Sequence, residues 1–219
     1  MKLSIVVPTF NSWYLLHDIV KNIMECVSVE HEIIIIDDGS TDDTKEILES
    51  IQWENIIKLI YGSNKWITKW WNDGVDIARG EYIRVINNDI IFEKWVVERL
   101  IDELQWDIMM TFPMYTLWDK PFEWKIRWYH HDNICWFAFM FRKSDKDKLF
   151  PIDERLKIRA WDWYLFNMIL KENKKEMKWI EDIVIHHLQS QTVWVLPDYS
   201  NLRKEWCEAR AVVCHERHR

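Results

Sequence analysis

The sequence predicts an α/β fold: one domain with a mostly parallel central sheet flanked by helices. Three observations predict it. Leu3–Val7 and Glu32–Ile36 are apolar runs without polar alternation, the mark of strands buried on both faces. Stretches of helical periodicity separate such runs. Polar, turn-forming residues close them: Pro8-Thr9, Asp37-Asp38-Gly39-Ser40 and Asn87-Asn88-Asp89.

The elements follow in order. Leu3–Val7 is the first strand, ended by Pro8. Trp13–Val27 places Leu15, Leu16, Ile19, Val20, Ile23 and Val27 on one helical face, with Asn11 or Ser12 as its cap. Glu32–Ile36 is the second strand. A helix runs from Thr41 to about Ser50, a third strand covers Asn55–Tyr61, and a helix covers Ile67–Ala78. Gly80 stops that helix, and Glu81–Ile86 is the fourth strand. Beyond Asp89 the pattern changes. A helix is predicted over Phe92–Leu104, a short strand over Asp107–Phe112 and a loop or irregular hairpin over Leu117–His131. Ile134–Arg142 reads as a strand, Trp161–Lys171 as a helix, Trp179–His186 as a strand and Leu202–Glu216 as a helix. The chain shows no repeat or linker, so its expected division is into two halves of one domain, 1–104 and 105–200, followed by a helix or tail at 201–219.

Composition narrows the function. The 219 residues carry 29 basic and 36 acidic side chains, a formal charge of −7, which argues against a general nucleic-acid binder. No apolar run approaches a membrane span of about 20 residues, and Met1-Lys2 leads into a strand without a signal-peptide pattern. Four cysteines (Cys26, Cys135, Cys207 and Cys214) are too sparse for a disulfide framework, so a reducing, cytoplasmic setting is expected. There are 4 glycines and 16 tryptophans. Average usage would give roughly 15 glycines.

In a parallel sheet, ligands bind beyond the carboxyl ends of the strands, where the three polar turns converge. Asn88-Asp89 fits a site for Mg²⁺ or Mn²⁺, which take oxygen ligands from one or two side chains and from substrate phosphates. It fits a turn or helix cap equally. Asp37-Asp38 can accept hydrogen bonds from a ligand or cap its own turn. Asp162, between Trp161 and Trp163, suits either a general base of raised pKa or a helix N-cap. His186-His187 ends a strand, where adjacent residues point to opposite faces and one alone can reach a site. The spacing of Cys207, Cys214 and His215 is not that of a zinc site. The scattered tryptophans read as core or surface rather than as a sugar-stacking cage.

Order and spacing are more specific than any single motif. Ser4–Asn11 (SIVVPTFN), Glu32–Thr44 (EIIIIDDGSTDDT), Ala78–Ile83 (ARGEYI) and Asn87–Asp89 resemble the family 2 glycosyltransferases of GT-A fold. The resemblance is strong over residues 3–92 and weaker at Trp136–Lys143, Trp161–Phe166 and His186–Thr192.

The resemblance implies a nucleoside-diphosphate sugar donor, with UDP the family's default, and a glycan, lipid-linked or protein acceptor. It implies that Pro8, Thr9 and Asn11 line the nucleoside end and that Asp38 hydrogen-bonds the base. Asn64 and Asn72 would lie in the stretch that closes over the nucleotide. Asn88-Asp89 would be the metal motif for Mn²⁺ or Mg²⁺, with Asp89 the direct ligand and Asn88 standing where many relatives have Asp. His187 would approach the metal or the diphosphate, and Asp162 would be the catalytic base of an inverting single displacement. Peripheral membrane contact stays open through the aromatics of Trp118–Tyr129.

The departures from the family pattern fall on glycine. Trp66, Trp136 and Trp161 stand where the family usually has Gly, Trp70 where a small residue is usual and Gln189 where Gly is common. With the glycine deficit, they suggest glycine-to-tryptophan replacement scattered along the chain. The replacement motivates a second reading, a catalytically impaired protein that binds a nucleotide or glycan. A nucleotidyltransferase ranks third, because Pro8–Ser12 is no Gly-rich phosphate loop.

Overall fold

The computed structural model describes residues 1–119, 123–126, 138–156 and 162–188. Strands and helices alternate through the first half: β1 (Leu3–Thr9), α1 (Trp13–Cys26), β2 (His31–Asp37), α2 (Thr44–Ser50), β3 (Ile56–Ile60), α3 (Ile67–Ile77) and β4 (Tyr82–Ile86). There follow β5 (Ile90–Phe92), α4 (Val96–Asp102), β6 (Ile108–Asp119), β7 (Glu123–Ile126), β8 (Ala138–Arg142), α5 (Lys146–Leu149), α6 (Asp162–Glu172) and β9 (Glu176–His187).

One sheet takes the order β3-β2-β1-β4-β8-β6-β9-β5, with β7 paired to β6. The half formed by β3, β2, β1 and β4 is entirely parallel. The other half is mixed: β8 runs antiparallel to β4 and β6, while β9 runs parallel to β6 and antiparallel to β5. Every residue of β1 and β2 is buried, as their unbroken apolar runs require. The amphipathic α1 turns Leu15, Leu16, Ile19, Val20 and Ile23 inward, as its periodicity predicts. Helix α3 lies so close to the sheet that a Cβ on Gly74 would come within 2.4 Å of Val6 Cγ1. In the mixed half, Phe139 packs edge-on against Trp71 at 5.6 Å and stacks with Phe141 at 6.2 Å.

The structure differs from the sequence expectation mainly after Asp89. The expected helix over Phe92–Leu104 is realised as the shorter α4, and its first residue, Phe92, instead ends β5, where Asn22 of α1 holds both of its backbone groups, at 3.0 and 3.1 Å, in an extended conformation. The expected strand ending at Phe112 runs on to Asp119 and pairs antiparallel with β7; of the stretch expected as a loop or irregular hairpin, residues 117–119 and 123–126 are described, and they are strand. Strand β9 starts three residues before Trp179. The predicted helix over Leu202–Glu216 lies outside the described residues, as do Cys135, Trp136, Trp161, Gln189, Cys207, Cys214 and His215.

At the amino end of the parallel strands sits a fully buried carboxylate, Glu32. It accepts hydrogen bonds from Ser4 Oγ at 2.5 Å, the Arg79 backbone N–H at 2.8 Å and Arg79 Nε at 2.7 Å. Ser4 Oγ in turn accepts the Gly80 N–H at 2.7 Å. Burial pushes the Glu32 carboxyl up, but the bonds from Ser4 and Arg79 outweigh it and hold the group below its usual range. This knot joins β1, β2 and the α3–β4 turn and accounts for the Ala78-Arg79-Gly80 pattern as structural. Glu32→Gln is expected to cost about 2 kcal/mol in a denaturant titration at pH 7. A carboxylate whose folded pKa is depressed contributes its stability above the unfolded pKa and loses it as pH falls through the folded one. The gap between wild type and Glu32→Gln should therefore close as pH is lowered below the normal glutamate range; a gap independent of pH counts against the charged knot.

Candidate active site

The chain reverses direction across the sheet at β1. It passes from β1 to β2 to β3 on one side, then returns to β4 on the other. A crevice opens at such a switch point, beyond the carboxyl ends of the strands. Thr9 ends β1 there, and Asn87-Asn88-Asp89 follows β4.

Three buried polar side chains tie this point together. Asn88 Nδ2 donates to Ser12 Oγ at 2.7 Å and to Thr9 Oγ1 at 3.2 Å, and the two hydroxyls lie 3.0 Å apart. Ser12 occupies the N-cap position of α1 but makes no capping bond with its side chain. Its hydroxyl serves the Asn88 cluster instead. A serine before a helix looks like a cap in any sequence, so this role had no separate signal.

Asp89 is buried beside it, and His187 Nε2 lies 3.2 Å from Asp89 Oδ2. The backbone brings them together: Ile90 of β5 pairs with His187 of β9, and the Leu188 N–H donates to Asp89 O at 2.9 Å. His187 is the member of the histidine pair that faces Asp89. Among the described residues, no third His, Cys, Asp or Glu completes a metal cluster with them. One carboxylate and one imidazole match the donor set of a cation that draws its remaining ligands from a substrate's phosphates and water.

The β2–α2 and β3–α3 loops form the other wall. Gly39 has φ +79° and lies so close to the second loop that a Cβ would meet Ser63 C at 2.5 Å. Asp37 turns back into its own loop, accepting from Ser40 N at 3.1 Å and Ser40 Oγ at 2.5 Å. Asp38, only 4% exposed, reaches across and accepts the Lys65 N–H at 2.6 Å. Burial drives its carboxyl up to about 6, against the opposing pull of the Lys65 and Trp66 backbone N–H groups. The Asp38 N–H donates to Thr9 O at 2.9 Å, which ties this wall to the switch point.

Asn11, at φ +46°, joins the loops: its N–H donates to Ser40 Oγ at 2.9 Å and its Oδ1 accepts the Thr41 N–H at 2.8 Å. Pro8 is buried in β1 opposite Ile36. Asn64 is half-buried and accepts the Trp66 N–H at 3.1 Å. Asn72 is buried in α3 and exchanges two 2.8 Å hydrogen bonds with the Ile152 backbone, which fastens α3 to the segment before α6. Helix α6 opens at Asp162. Of the expected site residues, Pro8, Thr9 and His187 close strands β1 and β9, Asn11, Asp38, Asn64, Asn88 and Asp89 lie on the turns beyond strand ends, and Asn72 spends its amide on the fold.

Trp66 precedes α3 with φ +73° and ψ 164°, and Trp95 precedes α4 with φ +73° and ψ −9°. The first region is essentially reserved for glycine, and side chains held in such conformations cost about 1–3 kcal/mol.

The glycosyl transferase family 2 profile matches residues 4–166. Glycosyltransferase GlyG of Streptococcus pneumoniae is 32% identical over 105 residues, 47% of this chain and 35% of that protein. The GalNAc(5)-diNAcBac-PP-undecaprenol beta-1,3-glucosyltransferase of Campylobacter jejuni is 36% identical over 91 residues, 40% of this chain and 29% of that one. The chain thus spans about a third of the length of these curated relatives. Among solved structures, S. aureus TarS 1-349 in complex with UDP superposes with a TM-score of 0.68 at 20% identity, covering 87% of this chain and 61% of that one. GalNAc-T7 with UDP, GalNAc and Mn²⁺ superposes with a TM-score of 0.76 at 14% identity, covering 95% and 47%. At these identities the structural likeness is one of fold. With the profile spanning most of its length and a GT-A architecture beneath it, the chain belongs to glycosyl transferase family 2.

Proposed function

We propose that this chain carries the donor site and the catalytic base of a metal-dependent, inverting glycosyltransferase that uses a UDP-sugar. Residues 1–104 form its donor half and 105–200 its acceptor half. One observation carries the reading: Asp89, paired with His187 at the end of β9, and Asp38 stand on turns linked through Thr9 at the sheet's switch point. Family membership supports glycosyl transfer, and the fold neighbours crystallised with UDP support a uridine nucleotide.

In this reading Asp38 accepts an N–H of the base, while Pro8, Thr9 and Asn11 shape the nucleoside pocket and Asn64 bounds it. Asp89 and His187 would hold Mn²⁺ or Mg²⁺, with Asn88 fixing the turn through Thr9 and Ser12. Such a cation, when bound, would supply Lewis-acid charge neutralisation to a diphosphate. Asp162 removes the proton from the acceptor hydroxyl, whose oxygen attacks the anomeric carbon opposite the leaving group and inverts it. The acceptor is a glycan, a lipid-linked or a protein hydroxyl. No helix among the described residues is long and apolar enough to cross a membrane.

Wild-type protein should be stabilised by UDP plus Mn²⁺, by about 2.7 kcal/mol at a hundredfold excess over the dissociation constant. Asp89→Ala should lose the Mn²⁺-dependent part, and retention of it would remove Asp89 from the metal site. Asp162→Asn should keep that shift while release of UDP from UDP-sugars falls by about 10²- to 10⁴-fold. Nucleotide binding without turnover in the wild type would favour the catalytically impaired reading that the Trp66 backbone motivates.

Binding should also depend on pH. With Asp38 titrating at about 6, its carboxylate accepts from the base above that pH and is protonated below it. Affinity for uridine, which carries no phosphate to titrate in this range, should fall by up to about tenfold per pH unit below 6. Asp38→Asn should flatten the profile in calorimetric titrations. An unchanged slope in that variant would exclude Asp38 from base recognition.

A further inference from the structure

Tryptophan and glycine are the least interchangeable pair of residues, yet this chain has 16 of one and 4 of the other. The backbone records which residue some of these positions were shaped for. Among the described residues, four other than glycine have positive φ: Asn11, Trp66, Trp95 and Lys174. Asn tolerates the left-handed region through its short polar side chain. Trp has no such allowance. Trp66 lies at φ +73°, ψ 164°, where glycine is essentially the sole occupant. Trp95 lies at φ +73°, ψ −9°. Both are N-cap residues, a position where glycine is accepted and large side chains are not.

Packing does not offset the strain at position 95. Its indole is 71% exposed, and that of Trp106, in the turn before β6, is 87% exposed. A residue that stabilises proteins by burial here buries little. Trp71 is the contrast. It sits inside helix α3, is 1% exposed and packs edge-on against Phe139 at 5.6 Å and Trp70 at 5.5 Å. The chain therefore contains two kinds of tryptophan: one that the core is built around, and one on backbone suited to glycine.

A single codon links the two amino acids. UGG specifies tryptophan everywhere. UGA, a stop codon in the standard code, is read as tryptophan in some genetic codes and as glycine in others. We propose that positions 66 and 95 are encoded by UGA and are glycine in the protein its own cell makes, whereas position 71 is encoded by UGG and is tryptophan. The same assignment covers positions 136 and 161, where the sequence motifs call for glycine, and position 106 on its exposure. About eleven such positions would bring glycine to its average abundance. At position 66 the change removes an indole from the loop whose backbone N–H groups face Asp38.

Two measurements decide the matter, and neither depends on what the protein binds or catalyses. The codons of the gene should be UGA at 66 and 95 and UGG at 71; UGG at 66 and 95 overturns the proposal. Peptide mass spectrometry of the chain purified from its source organism should then find glycine at 66 and 95 and tryptophan at 71. Tryptophan masses at 66 and 95 overturn it even if the codons are UGA. Recombinant Trp66→Gly and Trp95→Gly chains should melt at a higher temperature than the tryptophan chain, and Trp71→Gly at a lower one. A lower midpoint for both of the first two would show that the backbone there is not glycine's.

Discussion

Everything at the site depends on the reversal of strand order at β1. Because β2 lies on one side of β1 and β4 on the other, the turns after them cannot close over each other, and polar backbone is left facing a crevice. Such an opening stays ordered only if its polar groups have partners. Thr9, Ser12 and Asn88 supply them to one another across the gap, and Thr9 O takes the Asp38 N–H. One set of hydrogen bonds thereby holds the two sides at a fixed separation. In the proposed function a nucleotide and its cation would need that separation, since a misplacement of about 1 Å is costly in catalysis.

A buried carboxylate stands at each end of strand β2, Glu32 within it and Asp38 just beyond it, and their environments push their pKa values apart. Glu32 meets the cationic Arg79 and is held below its usual range. Asp38 meets a neutral backbone N–H, and burial raises it to about 6. The first is satisfied within the fold and has nothing left to offer a ligand. The second gains from a further donor, because each hydrogen bond to the charged form offsets the desolvation that raises it. The same physics separates an acid satisfied within the fold from one open to a further donor, and the separation rests on what lies opposite rather than on the residue itself.

How much of this was legible in the sequence follows from the range of each interaction. β1 and β2 could be read because burial on both faces leaves a near-continuous apolar run. β5 could not: Ile90, Ile91 and Phe92 continue into a helical pattern, and the bond that extends them comes from Asn22, seventy residues away in the chain. Strand β6 misled for a local reason. Pro113 normally ends a strand, but here it lies at a register shift against β9, where a missing N–H is tolerated. Within the site, the turn motifs were legible because they are contiguous. Asn72 and Ser12 were not, since their partners, Ile152 and Asn88, are fixed only by folding.

The glycines that remain show why the tryptophans matter mechanically. A Cβ at Gly39 or Gly80 would meet backbone within 2.5 Å, and one at Gly74 would meet Val6 at 2.4 Å. These are approaches between segments that no side chain can enter. Position 66 poses a different restriction, on dihedral angle rather than on space, and a bulky residue satisfies it only under strain. Position 66 adjoins the loop carrying Asn64 and Lys65, which the bond to Asp38 and the close approach of Gly39 hold in place. A backbone shift at position 66 would move the N–H groups of residues 65 and 66 that face Asp38, so the residue there bears on this wall as well as on the start of α3.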